Sequence, residues 1–273
     1  MKRCSLVLFL MLTFSFLFCI SCSRNQEQIM GVWWWNSNLG SEYLDFAEEN
    51  GVNEIYYCEG NLDETSSNFI ASANERDIDV YWLIGEVEWL RQSQELYNEI
   101  ERYLSYNNSH SQKYSGVHLD IEPHQDDNFE QDRQQLLYNL IDIIYNLKQT
   151  YPNIQFDYDI AFWLDDEITY NGVTKPAYQH VIDYADRVFI MSYRDSSDGM
   201  LNVASEELEY AKFTNKIVVL GAETGDTEEA EVVTFAQEGR VYMNEQLDIV
   251  KASIPANYGI SIHHIASWFD MKD

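Results

Sequence analysis

Basic residues are scarce in this chain. Its 273 residues carry 17 Lys and Arg against 46 Asp and Glu, a formal charge of -29. A surface so poor in cations disfavours nucleic acid and anionic surfaces as partners. Cysteine is nearly absent as well: there are 4, and Cys4, Cys19 and Cys22 all lie in the first 22 residues. Cys58 stands alone in the rest, so no internal disulfide can form there, and it reads as a packed, inert thiol. Gly-x-Gly-x-x-Gly is missing after the first apolar run, where Asn36-Ser37-Asn38-Leu39-Gly40 stands instead. A dinucleotide-binding reading lacks its motif. His-Glu-x-x-His is absent too, and the one Cys-x-x-Cys, Cys19 to Cys22, lies in the N-terminal hydrophobic stretch. His118, Asp120, Glu122, His124, His263 and His264 could offer N and O ligands, but without a metal-site spacing; no metal and no cofactor are expected. No internal repeat, low-complexity run or second domain is visible.

The one long hydrophobic run is N-terminal. Lys2 and Arg3 precede Leu6 to Ile20, a length that suits a signal h-region and is short for a membrane span. It closes on Cys19-Ile20-Ser21-Cys22, which resembles a bacterial lipoprotein signal. Ser21 and Cys22 match that pattern, and Cys19 departs from its usual leucine. The resemblance implies a signal peptide over 1–21, lipid on Cys22, a tether over 22–28 and a cell-envelope location facing the periplasm or exterior. An ordinary secretory signal or uncleaved anchor is the alternative.

What is abundant is apolar and aromatic, with 19 Tyr, 13 Phe and 7 Trp. Eight strand-like runs rich in Val, Ile, Tyr, Phe and Trp follow the tether: Met30–Trp35, Asn53–Cys58, Ile78–Ile84, Gly116–Glu122, Ile154–Trp163, Arg187–Tyr193, Lys216–Gly221 and Gly259–Ile265. Helical patterns separate most of them. Ser41 can cap a helix to Asn50; Thr65–Arg76, Ser93–Tyr106, Phe129–Thr150, Pro176–Tyr184, Ser205–Phe213 and Met243–Ala252 are the others. Thr224–Gly239 reads as a long loop with one turn of helix. Strands alternating with helices over this length predict a single-domain (β/α)₈ TIM barrel over 29–273, with a doubly wound open sheet as the alternative.

In a parallel barrel, function collects at the C-terminal ends of the strands. Val117, Leu119 and Ile121 alternate with His118, Asp120 and Glu122, so a strand sends the three ionisable groups to one face. Pro123 cannot continue a ladder, so Asp120 and Glu122 sit near the strand's end, about 7 Å apart. Other strand ends offer Trp35, Glu59, Glu86, Asp159, Trp163, Arg194, His263 and Trp268, which are the expected substrate contacts.

Ser115 to Glu122 resembles the strand-four signature of family 18 glycoside hydrolases, the chitinase-like barrels. That signature is Asp-Gly-apolar-Asp-apolar-Asp-apolar-Glu. Gly116, Val117, Leu119, Asp120, Ile121 and Glu122 match it, while Ser115 and His118 depart. Met191-Ser192-Tyr193 is similar to that family's Met-x-Tyr-Asp, with Arg194 replacing the Asp. The resemblance implies Glu122 as general acid, Asp120 orienting the substrate's N-acetyl group, that group as nucleophile, and Tyr193 supporting its carbonyl. A second resemblance, to retaining two-carboxylate barrel hydrolases, rests on Glu122-Pro123 and on Glu223, with Gly221 opening space beneath it. It implies Glu223 as nucleophile. Both give Glu122 the acid/base role and a glycan as substrate. The rivals from other classes are a glycan-binding surface barrel without catalysis and a metal-dependent hydrolase or deacetylase.

Overall fold

The computed structural model describes residues 28–227 and 231–273. The expected signal peptide, Cys22 and all but the last residue of the expected tether fall outside these. Eight parallel strands close into a barrel: β1 (Ile29–Trp34), β2 (Glu54–Tyr57), β3 (Asp79–Ile84), β4 (Gly116–Leu119), β5 (Phe156–Ala161), β8 (Arg187–Met191), β9 (Ile217–Glu223) and β10 (Gly259–His263). β1 pairs with β10, with Val32 opposite Ile262, which completes the ring. The fold is a single-domain (β/α)₈ TIM barrel. Among the described residues no helix is long and apolar enough to cross a membrane.

Between β5 and β8 an antiparallel hairpin is inserted, β6 (Glu167–Tyr170) and β7 (Val173–Pro176). Asn171 and Gly172 turn it with φ of 50° and 81°, the left-handed pair that two-residue hairpins require.

The helices are α1 (Ser41–Glu49), α2 (Glu64–Asn74), α3 (Gln94–Ser109), α4 (Phe129–Thr150), α5 (Ala177–Tyr184), α6 (Ser197–Val203), α7 (Ser205–Thr214), α8 (Arg240–Ser253) and α9 (Ile265–Asp270). α4 shows why they dock. Leu136, Leu137, Leu140, Ile143, Ile144 and Leu147 recur at helical spacing and are all buried. The outward faces of the strands meet this layer through Val32, Ile55, Val117, Leu119 and Ile160, also buried.

Several boundaries depart from the sequence reading. Ser41 is the first helical residue and caps nothing; Gly40 occupies the cap position. Pro176 likewise precedes α5 and does not enter its first turn. The fourth strand ends at Leu119, three residues before Glu122, because Glu122 and Pro123 turn into a 3₁₀ turn at Pro123–Gln125. The last strand stops at His263, and Ile265 onward is α9. Among the described residues of the loop after β9 there is a 3₁₀ turn at Glu231–Val233.

Inside the barrel the inward face of the strands is packed, not hollow. Trp33, Tyr56, Tyr81, Leu83, Phe189 and Val219 form the lumen cluster. Below them, at the N-terminal strand ends, lie charges. Arg187 donates to Asp157 Oδ1 through Nε (2.9 Å) and to Oδ2 through Nη2 (2.5 Å), and Nη1 donates to Glu54 Oε1 (2.6 Å). Tyr56 OH donates to Glu54 Oε2 (2.9 Å), and the guanidinium lies 4.7 Å from the Tyr81 ring centre. Paired and hydrogen-bonded, these ions can be buried where single ones could not.

Candidate active site

At the opposite, C-terminal mouth the chain makes one unusually close approach. A Cβ on Gly85 would lie 1.8 Å from the Asp120 carbonyl oxygen. Only glycine lets the segments after β3 and β4 touch there, and Asp120 N–H donates to Ile84 O at 3.0 Å. This contact carries Asp120 and Glu122 past the end of the ladder on the lumen side.

Glu122 is half-buried. His124 Nε2 lies 3.0 Å from its Oε2, and Gln125 Nε2 donates to its Oε1. The 3₁₀ turn bends both partners back onto the carboxyl. Neither is among the expected substrate contacts, although their spacing after Pro123 is a usable signal. Asp120 points beside Glu122 with its Oδ1 sealed from solvent and unpartnered. Burial pushes its pKa well up, and Asp159 and Glu122 add to the effect.

Asp159 is buried on β5. Its Oδ2 accepts from Trp33 Nε1 (3.1 Å) and from His118 Nε2 (2.8 Å). Burial raises its pKa well above the ordinary value, against the pull of the Trp33 bond. Burial drives His118 the other way, down to about 3, so this imidazole is neutral. It stacks on Tyr56 with ring centres 4.1 Å apart. His118 therefore stands in the lumen, where a carboxylate would join Asp157 and Asp159.

Tyr193 is half-buried. Its ring fills the space that Gly221 leaves, with Cε1 3.0 Å from a Cβ placed there. Gly221 thus makes room for Tyr193, not for Glu223. Burial, with Asp159, Glu223, Asp120 and Glu122 around it, holds the phenol well above its usual pKa and protonated. Glu223 is committed to its own neighbourhood. Oε1 accepts from the backbone N–H of Thr224 (2.8 Å) and of Gly225 (2.6 Å), and Oε2 lies 2.7 Å from His263 Nδ1. Burial lowers the His263 pKa, but the Glu223 hydrogen bond and charge, with Asp120 and Asp159, outweigh it, and the net shift is upward.

A cleft of about 560 Å³ lies over the ends of β1, β2 and β3, to the side of Asp120, Glu122, Tyr193 and Glu223, none of which lines it. Trp35, 37% exposed, forms part of its wall. Cys58, Glu59, Glu86, Glu88, Trp89 and Arg102 also line it. The cleft thus couples one exposed aromatic face to a set of carboxylates. Burial, with Glu59, Glu86 and Asp120 nearby, raises the Cys58 pKa, which keeps it a thiol.

Three expected contacts fall elsewhere. Trp268 is buried to 1% on α9, edge-on to Phe46 of α1 at 5.0 Å. The chain turns helical after His264 and carries Trp268 behind the barrel wall, so it is core and not a sugar platform. Arg194 folds back, donating to Tyr193 O (2.6 Å) with its guanidinium 4.8 Å from the Phe162 ring centre. Trp163, just beyond β5, stacks edge-on against His124 at 5.2 Å and reaches the site through it. Among the described residues no group of three or more His, Cys, Asp or Glu is arranged to hold a metal ion.

No protein-family model matches the chain, and no curated protein matches it in sequence. Solved structures do match it in fold. A glucosidase from Croceicoccus marinus is similar over 88% of this chain, at 11% identity and a TM-score of 0.58. This chain spans 59% of that protein's length. The C-terminal domain of Legionella pneumophila ChiA matches over 88% of this chain and 93% of its own, at 13% identity and a TM-score of 0.52. A Rhizomucor miehei beta-1,3-glucanosyltransferase, an active-site mutant in complex with laminaritriose, matches over 86% of both chains at 12% identity and a TM-score of 0.52. At such identities the likeness is one of fold.

Proposed function

We propose that this protein is a glycoside hydrolase in which Glu122 is the general acid/base and the 2-acetamido group of the substrate is the nucleophile. The observation that carries the proposal is the placement of Asp120. Its Oδ1 is buried and unpartnered beside Glu122, and burial, with Asp159 and Glu122 nearby, raises its pKa well above the ordinary value. In the first step Glu122 gives a proton to the leaving glycosidic oxygen. The acetamide carbonyl oxygen forms a bond to the anomeric carbon as the glycosidic bond breaks. In the second step water opens that ring and gives its proton to Glu122. This is the substrate-assisted exception to the two-carboxylate scheme. Asp120 and the Tyr193 hydroxyl bracket the acetamide.

Glu223 favours this reading over a two-carboxylate one. Two backbone N–H groups and His263 occupy its oxygens, and donors fixed in the backbone hold a carboxylate in place and weaken it as a nucleophile. The partners of Glu122 are exposed side chains that a substrate can displace.

The test is turnover of N-acetylated and unacetylated oligosaccharides by wild type, Glu122→Gln, Asp120→Asn and Tyr193→Phe. Glu122→Gln should cost about 10²–10⁴-fold in rate, and activity should require the 2-acetamido group. Full turnover by Glu122→Gln rejects the assignment. Turnover of unacetylated sugars that Glu223→Gln abolishes selects the two-carboxylate reading. Binding without turnover in every case identifies a glycan-binding barrel.

We further propose that Cys22 carries lipid and tethers the barrel to the bacterial envelope, facing the periplasm or exterior. Wild type should then partition with membranes. Cys22→Ala should not acquire lipid, as intact-mass measurement would report.

A further inference from the structure

Trp35 Nε1 lies 3.0 Å from His263 Nε2. An indole N–H can only donate, so His263 Nε2 must be the bare, accepting nitrogen. The imidazole proton then sits on Nδ1 and is donated to Glu223 Oε2 at 2.7 Å. Glu223 in turn is pinned by the Thr224 and Gly225 N–H groups. Trp35 and His263 thus donate in the same direction, from the cleft wall inward to the carboxylate after β9.

We propose that Glu223 and His263 are positioning residues whose tautomer sets the Trp35 indole as a sugar-stacking wall of the cleft. This rests on the glycosidase reading for its purpose, but not for its geometry. Trp35 is partly exposed and lines the cleft, and the apolar face of a pyranose suits an indole face fixed at one angle. Without its acceptor the indole is free to rotate.

Two consequences separate this role from catalysis. The first concerns Glu223→Gln. The two backbone N–H groups claim the amide oxygen, which turns the amide NH₂ toward His263 Nδ1. Nδ1 must then accept, the ring proton moves to Nε2, and Nε2–H opposes the Trp35 N–H. The second concerns pH. A doubly protonated His263 cannot accept from Trp35 at all. The groups facing this imidazole are Glu223, Asp120 and Asp159, which favour its charged form, and His264, which disfavours it; Tyr193 packs beside it without charge. As pH falls through the raised His263 midpoint, Trp35 is released.

The experiment is ¹⁵N–¹H correlation NMR of the histidine ring nitrogens and the Trp35 indole, assigned with His263→Gln and Trp35→Phe. In wild type at pH 8, His263 Nε2 should be unprotonated and the Trp35 indole proton shifted downfield. Both signals should move in one titration as pH falls. Glu223→Gln should invert the tautomer and shift the Trp35 signal at every pH. His263→Gln, whose amide oxygen can still accept, should restore it. With an active glycan in hand, Glu223→Gln should raise KM roughly 2- to 10-fold, the worth of one neutral hydrogen bond, with the loss falling on KM more than on kcat. A Trp35 signal indifferent to pH and to Glu223→Gln overturns the relay. A loss confined to kcat overturns the positioning role and restores Glu223 as a reacting group. The NMR needs no turnover, so it decides the hydrogen-bond relay even if the glycosidase reading fails.

Discussion

His118 donates its Nε2–H to Asp159 Oδ2 at 2.8 Å, from β4 to β5 inside the barrel. Burial keeps this histidine neutral, with a pKa near 3, so only one ring nitrogen carries a proton, and the partnered Nε2 is the one that can use it as a donor. Nδ1 has no partner, as expected of a bare ring nitrogen that nothing charges. The inward position of β4 beside Asp159 thus holds a neutral donor and not a second carboxylate.

That pairing predicts how Asp159→Asn should behave with pH. The folded-state pKa of Asp159 is raised above its ordinary 3.8. Its favourable contribution is therefore full below about pH 3.8 and is lost as pH rises through the folded value. Asn can still accept from Trp33 and His118 but never ionises. The stability of Asp159→Asn relative to wild type should rise from pH 4 to pH 8, as urea unfolding at each pH would measure. A difference independent of pH would show that Asp159 is not titrating in the fold.

Gly85→Ala should strike the site through the backbone. The added Cβ meets the Asp120 carbonyl at 1.8 Å, so the segments after β3 and β4 must part. Overpacking of this kind costs about 1–3 kcal/mol, and it displaces Asp120 and Glu122 together. Gly60→Ala is the control, because nothing lies within 4 Å of its Cβ position. Unfolding midpoints of the two variants, with turnover, would check this. Equal behaviour would mean the close approach is not maintained.

Trp268→Ala should be a stability variant without a binding phenotype. Removing a fully buried Trp typically costs about 3–5 kcal/mol. The gentler Trp268→Phe keeps the packing against Phe46 and should stay folded. Its glycan affinity should equal that of wild type, by calorimetry or fluorescence. Weaker binding by a folded Trp268→Phe would return this residue to the site.

The eight-strand order and the long helices are legible in the sequence because apolar periodicity is local and each barrel strand repeats it. The carboxylates of Asp120 and Glu122 are legible for the same reason, through alternation up to Pro123. The hairpin at Tyr170-Asn171-Gly172-Val173 is also written locally, in an Asn-Gly pair between alternating residues, but the stronger strand pattern at Ile154–Trp163 masks it. Trp268 escapes a sequence reading because strand and helix both tolerate the stretch Ile260-Ser261-Ile262-His263-His264-Ile265, and only packing decides where one becomes the other. The His118–Asp159 and Trp35–His263 pairs cannot be read at all. Their partners are 41 and 228 residues apart, and barrel closure alone makes them neighbours.

The charged floor of Arg187, Asp157 and Glu54, with the aromatic layer above it, makes the barrel a cul-de-sac. Sugar and water have no through-route along its axis past this plug, so whatever reaches Asp120 and Glu122 must arrive and leave at the C-terminal face. Traffic through a single doorway is sequential: a bound chain has to yield its place before the next water or product can pass.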